Sequence, residues 1–195
     1  MKALYFVQGR VARPASARRN IAKTLVQSQI MWCIFFYLLP WRLYRLEEAL
    51  GLSRYRVKSP AYGKAGVVLF LAGGTFAYIS AGFMVVKGQG TPLPADCPRE
   101  LVIAGPYLYV RNPMAMGSFA QGGAVGLFAG SPLILLYVVA GAVGWNYLVR
   151  PWEENDLERR FGAPYVRYRD NVRCWIPGLK PYHDPGGQGT RGNAS

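Results

Sequence analysis

The sequence predicts an all-α integral membrane protein: four transmembrane helices, the last two a tight hairpin, followed by a short cytoplasmic interfacial C-terminal helix. Three observations predict it. Only 17% of the residues are charged, and the charges leave three long gaps. A Gly-Ser-Pro breaker divides the longest gap. Lysine and arginine are more numerous in the segments that one face of such a bundle would carry.

The first gap runs from Thr24 to Trp41 and holds 18 residues. The second runs from Ala65 to Val86 and holds 22. A bilayer crossing needs about 20 mostly apolar residues, so each is read as one span, over 24–41 and 65–86. The third gap, Asn112 to Val149, holds 38 residues, too many for one span. Gly130-Ser131-Pro132 should turn the chain near its middle, giving spans over 113–129 and 132–149. Gly122, Gly126 and Gly130 are spaced by four, and Ala140 and Gly144 repeat that spacing. Small-residue stripes of this kind let helices approach closely in lipid. Residues 1–183 form one domain. The Gly-rich tail from Asp184 to Ser195 is expected to be disordered.

Seventeen of the 23 lysines and arginines fall in the termini and the segment 87–111, against six in the segment 42–64. Positive charge stays on the cytoplasmic side, so both termini are expected there. The basic N-terminal arm to Lys23 is expected to lie along anionic headgroups. The first apolar run begins after more than twenty residues and lacks a small-residue cleavage site, so no cleavable targeting peptide is expected. Three cysteines without a C-x-x-C and a single histidine, His183, point to no disulfide framework, metal site or Ser-His-Asp chemistry. The arginines flank spans instead of forming a separate basic domain, so no nucleic-acid partner is expected.

A hairpin returns the chain to the face it left. Arg111, before the third span, and Glu153-Glu154, after the fourth, must therefore share one face. Asn112 suits an N-cap and Pro113 the first helical turn. Arg111 then sits at the interface, as a headgroup anchor or as the partner of an anion. Pro151 should start a new helix with Glu153, Glu154 and Asp156 in its first turn, where acids favour the positive end of the dipole. Gly162 should close it. Gln121 and Asn146 are the main amides within the spans and serve as an interhelical contact or a tunnel lining.

Taken together, "GPYLYVRNPMAMG" (105–117), the two-helix stretch, "EENDLERRFGAPYVRYRDNV" (153–172) and "WIPG" (175–178) resemble the isoprenylcysteine carboxyl methyltransferase family, and its small bacterial members most. The resemblance covers roughly Gly90 to Leu179, with "GTPLP" in the preceding loop. It implies a membrane methyltransferase using S-adenosylmethionine, in the bacterial inner membrane, with the cofactor site facing the cytoplasm. By position, the family's cofactor elements fall on Arg111, Asn112, Pro113, Ala115, Gly117, Glu153 and Glu154. Asn112 stands where eukaryotic members have histidine, and Ala115 where tyrosine is common. The expected catalytic residues are Arg111, Asn112 and Glu154. The expected cofactor-binding residues are Gly105, Tyr107, Tyr109, Arg111, Pro113, Gly117, Glu153, Glu154, Tyr165 and Arg169. Tyr107 or Tyr109 would offer a ring face to the sulfonium. Tyr165, Tyr168 and Arg169 close the pocket or pack an interfacial helix. The acceptor is a lipophilic small molecule or a membrane lipid. With no base evident for an amine, an acidic or sulfur acceptor is favoured. Two other readings of the same bundle are an NADPH-binding membrane reductase and a non-catalytic scaffold or transporter.

Overall fold

The computed structural model of the chain describes residues 16–91 and 97–184. Most of the N-terminal arm, most of "GTPLP" and the tail from 185 lie outside the described residues. Among those described the architecture is all helical. Three helices are long and apolar enough to cross a membrane: 18–49, 60–88 and 132–161. Their outward faces carry exposed Leu38, Leu71, Leu136 and Leu148, as lipid-facing surfaces do. The chain is an integral membrane protein.

The first helix is longer than its apolar run. Helix α1 (Ala17–Trp32) starts at Ser16, whose hydroxyl accepts the Arg19 N–H at 3.4 Å. It continues through a π-helical turn, Cys33–Leu38, into α2 (Leu39–Ala49). The turn has a local cause. Pro40 has no N–H and its ring crowds the carbonyl four residues back. Widening the preceding turn relieves this, and the Leu39 N–H donates to the Ile34 carbonyl five residues back.

Helix α3 (Pro60–Gly88) is capped by Ser59, which accepts the Ala61 N–H at 3.3 Å. Helix α4 (Pro113–Ala129) has 17 residues, a little short of a bilayer crossing at right angles. Its closest neighbour is α3. A Cβ on Gly117 would meet the Gly73 carbonyl oxygen at 2.6 Å, and one on Gly66 the Ala124 carbonyl oxygen at 2.8 Å. The sequence had pointed to tight packing between α4 and α5 (Pro132–Gly144). That contact exists, with Gly122 against Val138 and Gly126 against Leu135. Gly144, however, faces open space, so the Ala140–Gly144 repeat does not continue the stripe. Gln121 turns toward Gly74 on α3.

The α4–α5 turn is the expected one. Gly130 has φ +59°, and a Cβ there would meet the Val57 carbonyl oxygen at 2.3 Å. Ser131 caps α5, accepting the Ile134 N–H at 3.2 Å. Pro151 does not start a separate helix as expected. A second π-helical turn, Trp145–Val149, precedes it, with the Arg150 N–H donating to Trp145 five residues back. The helix therefore runs on into α6 (Arg150–Phe161). Gly162 ends it, at φ +58° and ψ −136°, and a further helix α7 (Ala163–Asn171) follows.

The basic segment 42–64 is not the open loop it promised to be. Arg56 is folded inward over the Tyr44 ring. Its Nε donates to Glu47 Oε2 at 2.7 Å, and their side chains are 6% and 2% exposed. Glu47 Oε1 accepts the Ser131 hydroxyl at 2.7 Å and the Leu133 N–H at 2.8 Å. The pair thus locks the end of α2 to the α4–α5 turn. Removing one partner of a buried ion pair strands the other and costs about 3–5 kcal/mol. Glu47→Ala should therefore lower the thermal midpoint in detergent sharply. A Glu47→Leu/Arg56→Met double variant should recover much of the loss. A midpoint unchanged by Glu47→Ala would show that the pair contributes nothing.

Candidate functional site

The hairpin brings the two ends of the predicted site together. Arg111 Nη1 donates to Glu154 Oε1 at 2.6 Å, across 43 positions of sequence. Arg150 adds a longer contact to the same oxygen, 3.8 Å. The segment that carries Arg111 is held from below by the C-terminal chain. The Arg111 N–H donates to Arg173 O at 3.0 Å, and the Gly178 and Tyr182 N–H groups donate to Tyr109 O and Leu108 O, each at 2.8 Å. The "WIPG" motif therefore lies directly against "GPYLYVRNP", which gives the pairing of the two motifs a physical basis. The Tyr168 hydroxyl adds a 2.7 Å bond to the Tyr107 carbonyl.

Above this platform lies a cavity of about 590 Å³, within the about 300–1,000 Å³ typical of small-molecule sites. α1, α3, α4, α5 and α6 wall it, with Tyr165 and Tyr168 from α7 at one end. Its charge is unlike that of the chain. Four of the ten acids line it, Glu100, Glu153, Glu154 and Asp156. Only two of the 23 lysines and arginines do, Arg111 and Arg160. Both arginines are already paired, Arg160 with Asp156 at 3.5 Å. A cavity so weighted favours a cation. Arg111 Nε and the Tyr107 hydroxyl, both donors on lining residues, are buried without a hydrogen-bond partner.

The expected site residues divide. Arg111, Asn112, Pro113, Glu153, Glu154, Tyr107 and Tyr165 line the cavity, as does Ala115. Gly105, Tyr109, Gly117 and Arg169 do not. Gly105 has φ +56° and lies against the Phe83 ring, so it shapes the backbone. Gly117 is taken up by the α3 contact. Tyr109 is 39% exposed and is engaged through its backbone, the N–H donating to Pro106 O and the carbonyl accepting from Gly178. Arg169 pairs with Glu158 at 2.5 Å, away from the cavity. Asn112 sits at the N-cap position, but its side chain does not cap. Its Nδ2 donates instead to Cys174 Sγ at 3.1 Å. Asn146 accepts from Trp175 Nε1 at 2.8 Å, tying α5 to the C-terminal segment.

A family model, phospholipid methyltransferase, matches residues 63–164. The chain belongs to this family. No curated protein and no solved structure matches the chain. The match covers α3 to α6 and so holds both halves of the Arg111–Glu154 contact. The likeness of the two motifs to isoprenylcysteine carboxyl methyltransferases falls in the same grouping.

The carboxyl groups that line the cavity are not equivalent. Α6 is the polar continuation of the last spanning helix and lies beyond its apolar stretch, 132–149. There, burial and then the neighbouring Glu154 and Asp156 push Glu153 up to about 7. Burial also pushes up the phenols of Tyr107 and Tyr165 around it, which keeps them neutral. The sequence showed no base; Glu153 is a carboxyl poised to take a proton near neutrality. Its sign for stability follows. A carboxyl raised in the folded state holds its proton longer than in the unfolded chain, so stability falls as pH rises from about 4.5 to about 7. Glu153→Gln should flatten this decline and melt higher than wild type at pH 8. Parallel melting curves for the two proteins across that window would contradict the assignment.

Proposed function

We propose that the protein transfers a methyl group from S-adenosylmethionine to a lipophilic small-molecule or lipid acceptor in the membrane. The observation that carries this reading is the acid-lined cavity of a basic chain, beside the Arg111–Glu154 contact and lined in large part by residues within the matched stretch. α4 completes a fourth crossing, tilted or locally thinning the bilayer, and α7 lies at the interface. The site end faces the cytoplasm. The orientation rests on the 17 lysines and arginines on that side against six in the segment 42–64.

The residues present fit the cofactor. Its amino-acid end carries both an ammonium and a carboxylate. Glu153 offers the ammonium a carboxylate that pairs with no arginine among the described residues. Arg111 Nε, a buried donor without a partner, offers the carboxylate a charge-assisted hydrogen bond. Glu154 holds that guanidinium in place. Tyr107, neutral and buried against the cavity, presents a ring to a cationic centre, a contact of about 0.5–2 kcal/mol. When bound, S-adenosylmethionine supplies a methyl already activated on a sulfonium. The chain's own work is then to align the acceptor, exclude water and, for an acceptor that must lose a proton, take it on Glu153. Trp145 and Trp152 line the cavity and help to keep water out.

Two measurements test the reading on purified protein in detergent. S-adenosylhomocysteine should raise the thermal midpoint and NADPH should not; the reverse would favour a reductase, and no response to either a scaffold. Isothermal titration of Glu153→Gln and Arg111→Lys should show S-adenosylhomocysteine binding weakened at least about tenfold, the loss expected for a hydrogen bond to a charged group. Undiminished affinity in both would remove these residues from the cofactor's surroundings.

A further inference from the structure

Helix α1 lies outside the stretch that the family model matches. It nevertheless forms one wall of the cavity. Thr24, Gln27, Ser28, Met31, Trp32 and Phe35 all line it. They are spaced by three and four, so they form one stripe down one face. The stripe is graded. Its first three residues are polar and uncharged, and the next three are apolar and run toward the middle of the span.

The polar part is not satisfied by the protein. Thr24 is 5% exposed, and its hydroxyl oxygen has no hydrogen-bond partner. Gln27 Oε1 is likewise buried without one. Asn20, one turn earlier and 1% exposed, repeats the pattern at its Oδ1. Buried oxygens are rarely left unpaired, and here two of the three belong to residues that line a cavity with room for a ligand, within a side-chain rotation of it.

The charged groups of the cavity stand on its other walls, in the segment before α4 and on α6. A methyl transfer brings two molecules together in line. A charged cofactor belongs to the charged walls, which leaves α1 to the acceptor. A carboxylate acceptor could accept the Thr24 O–H but has no proton to give Gln27 Oε1. An ammonium would be drawn to the acids opposite. We propose that Thr24 and Gln27 form the head-group subsite for the methyl acceptor, and that this acceptor is an amphiphile bearing an uncharged hydroxyl or N–H. Its chain lies along Met31, Trp32 and Phe35, toward the bilayer. This rests on the methyltransferase reading for the cofactor, but the subsite can be tested separately.

Trp32, Trp145 and Trp152 line the cavity and report its occupancy. The probes are 9,10-dibromooctadecan-1-ol and its methyl ether, whose bromines quench tryptophan fluorescence. The alcohol should half-saturate quenching at about tenfold lower concentration than the ether, because a site built for a donor discriminates against the analogue lacking it. Thr24→Val/Gln27→Met should bring the two within about twofold, and Thr24→Ser should keep most of the difference. S-adenosylhomocysteine affinity should be unchanged in these variants, which also shows that they fold. Equal quenching by alcohol and ether in wild type, or a preference that survives the double variant, would overturn the proposal. So would loss of S-adenosylhomocysteine binding in Thr24→Val, since the stripe would then belong to the cofactor. Failure of wild type to bind S-adenosylhomocysteine would strike the methyltransferase reading, and the alcohol–ether comparison would still judge the subsite.

Discussion

The site depends on a carboxylate at the far end of the bundle. Glu47 takes hydrogen bonds from Arg56, from the Ser131 hydroxyl and from the Leu133 N–H. Three segments distant in sequence are fixed by one side chain: the end of α2, the loop before α3 and the α4–α5 turn. That turn sets where the returning helix lies against the outgoing one. The register so fixed is what lets Arg111 meet Glu154 about one bilayer thickness away. A charge buried this fully is worth little as net stability, because desolvation opposes the attraction. Its value here is geometric, since few other arrangements satisfy all three donors at once.

The two π-helical turns serve the same geometry. Each precedes a proline, Pro40 or Pro151, and each lets a long helix pass that proline without breaking. Each also re-aims side chains at the cavity, Phe35 and Phe36 from the first, Trp145 and Val149 from the second. Extra residues in a helical turn rotate everything beyond them. For the last helix this carries Glu153, Glu154 and Asp156 round to the cavity side. The proline, often read only as a helix breaker, here marks the place where a helix changes face.

Much of this was legible in the sequence because it rests on local or topological signals. The charge-free runs located the apolar helices, and Gly130-Ser131-Pro132 located the turn. From the turn alone it followed that Arg111 and Glu154 share an end. What was not legible depends on packing. Gly117 reads as a motif glycine, yet its missing side chain is spent on contact with Gly73. Gly73 gave no warning, being one small residue among many in α3. Arg56 counted as an exposed loop charge, because nothing in sequence shows that Glu47 turns inward to meet it. Pro151 read as a helix start because a π-helical turn leaves no clear sequence signal. The stripe on α1 was present as polar spacing, but only a cavity beside it distinguishes an unsatisfied threonine from an ordinary one.

The distribution of charge around the cavity separates two tasks. The walls from α3 to α6 hold nearly all of its charge and lie within the family match. The ligand proposed for them has fixed charges, and charge-assisted contacts demand particular side chains at particular places. The α1 wall lies outside the match and carries neutral polar groups above aromatic ones. Such a surface discriminates by a few hydrogen bonds and by shape, and it changes its preference with one or two substitutions. In the reading proposed above, a fold divided this way would keep one donor while altering its acceptor, because the residues assigned to the activated methyl are not the residues assigned to choosing where it goes. The physical cost of changing acceptor is then confined to one helix that makes its main aromatic contacts with α3, through Trp32 on Phe70 and Tyr78. Those contacts are edge-on and tilted and sit at Trp32, further along the helix than Thr24 and Gln27, so the selective end of α1 can vary while its anchored end stays in place.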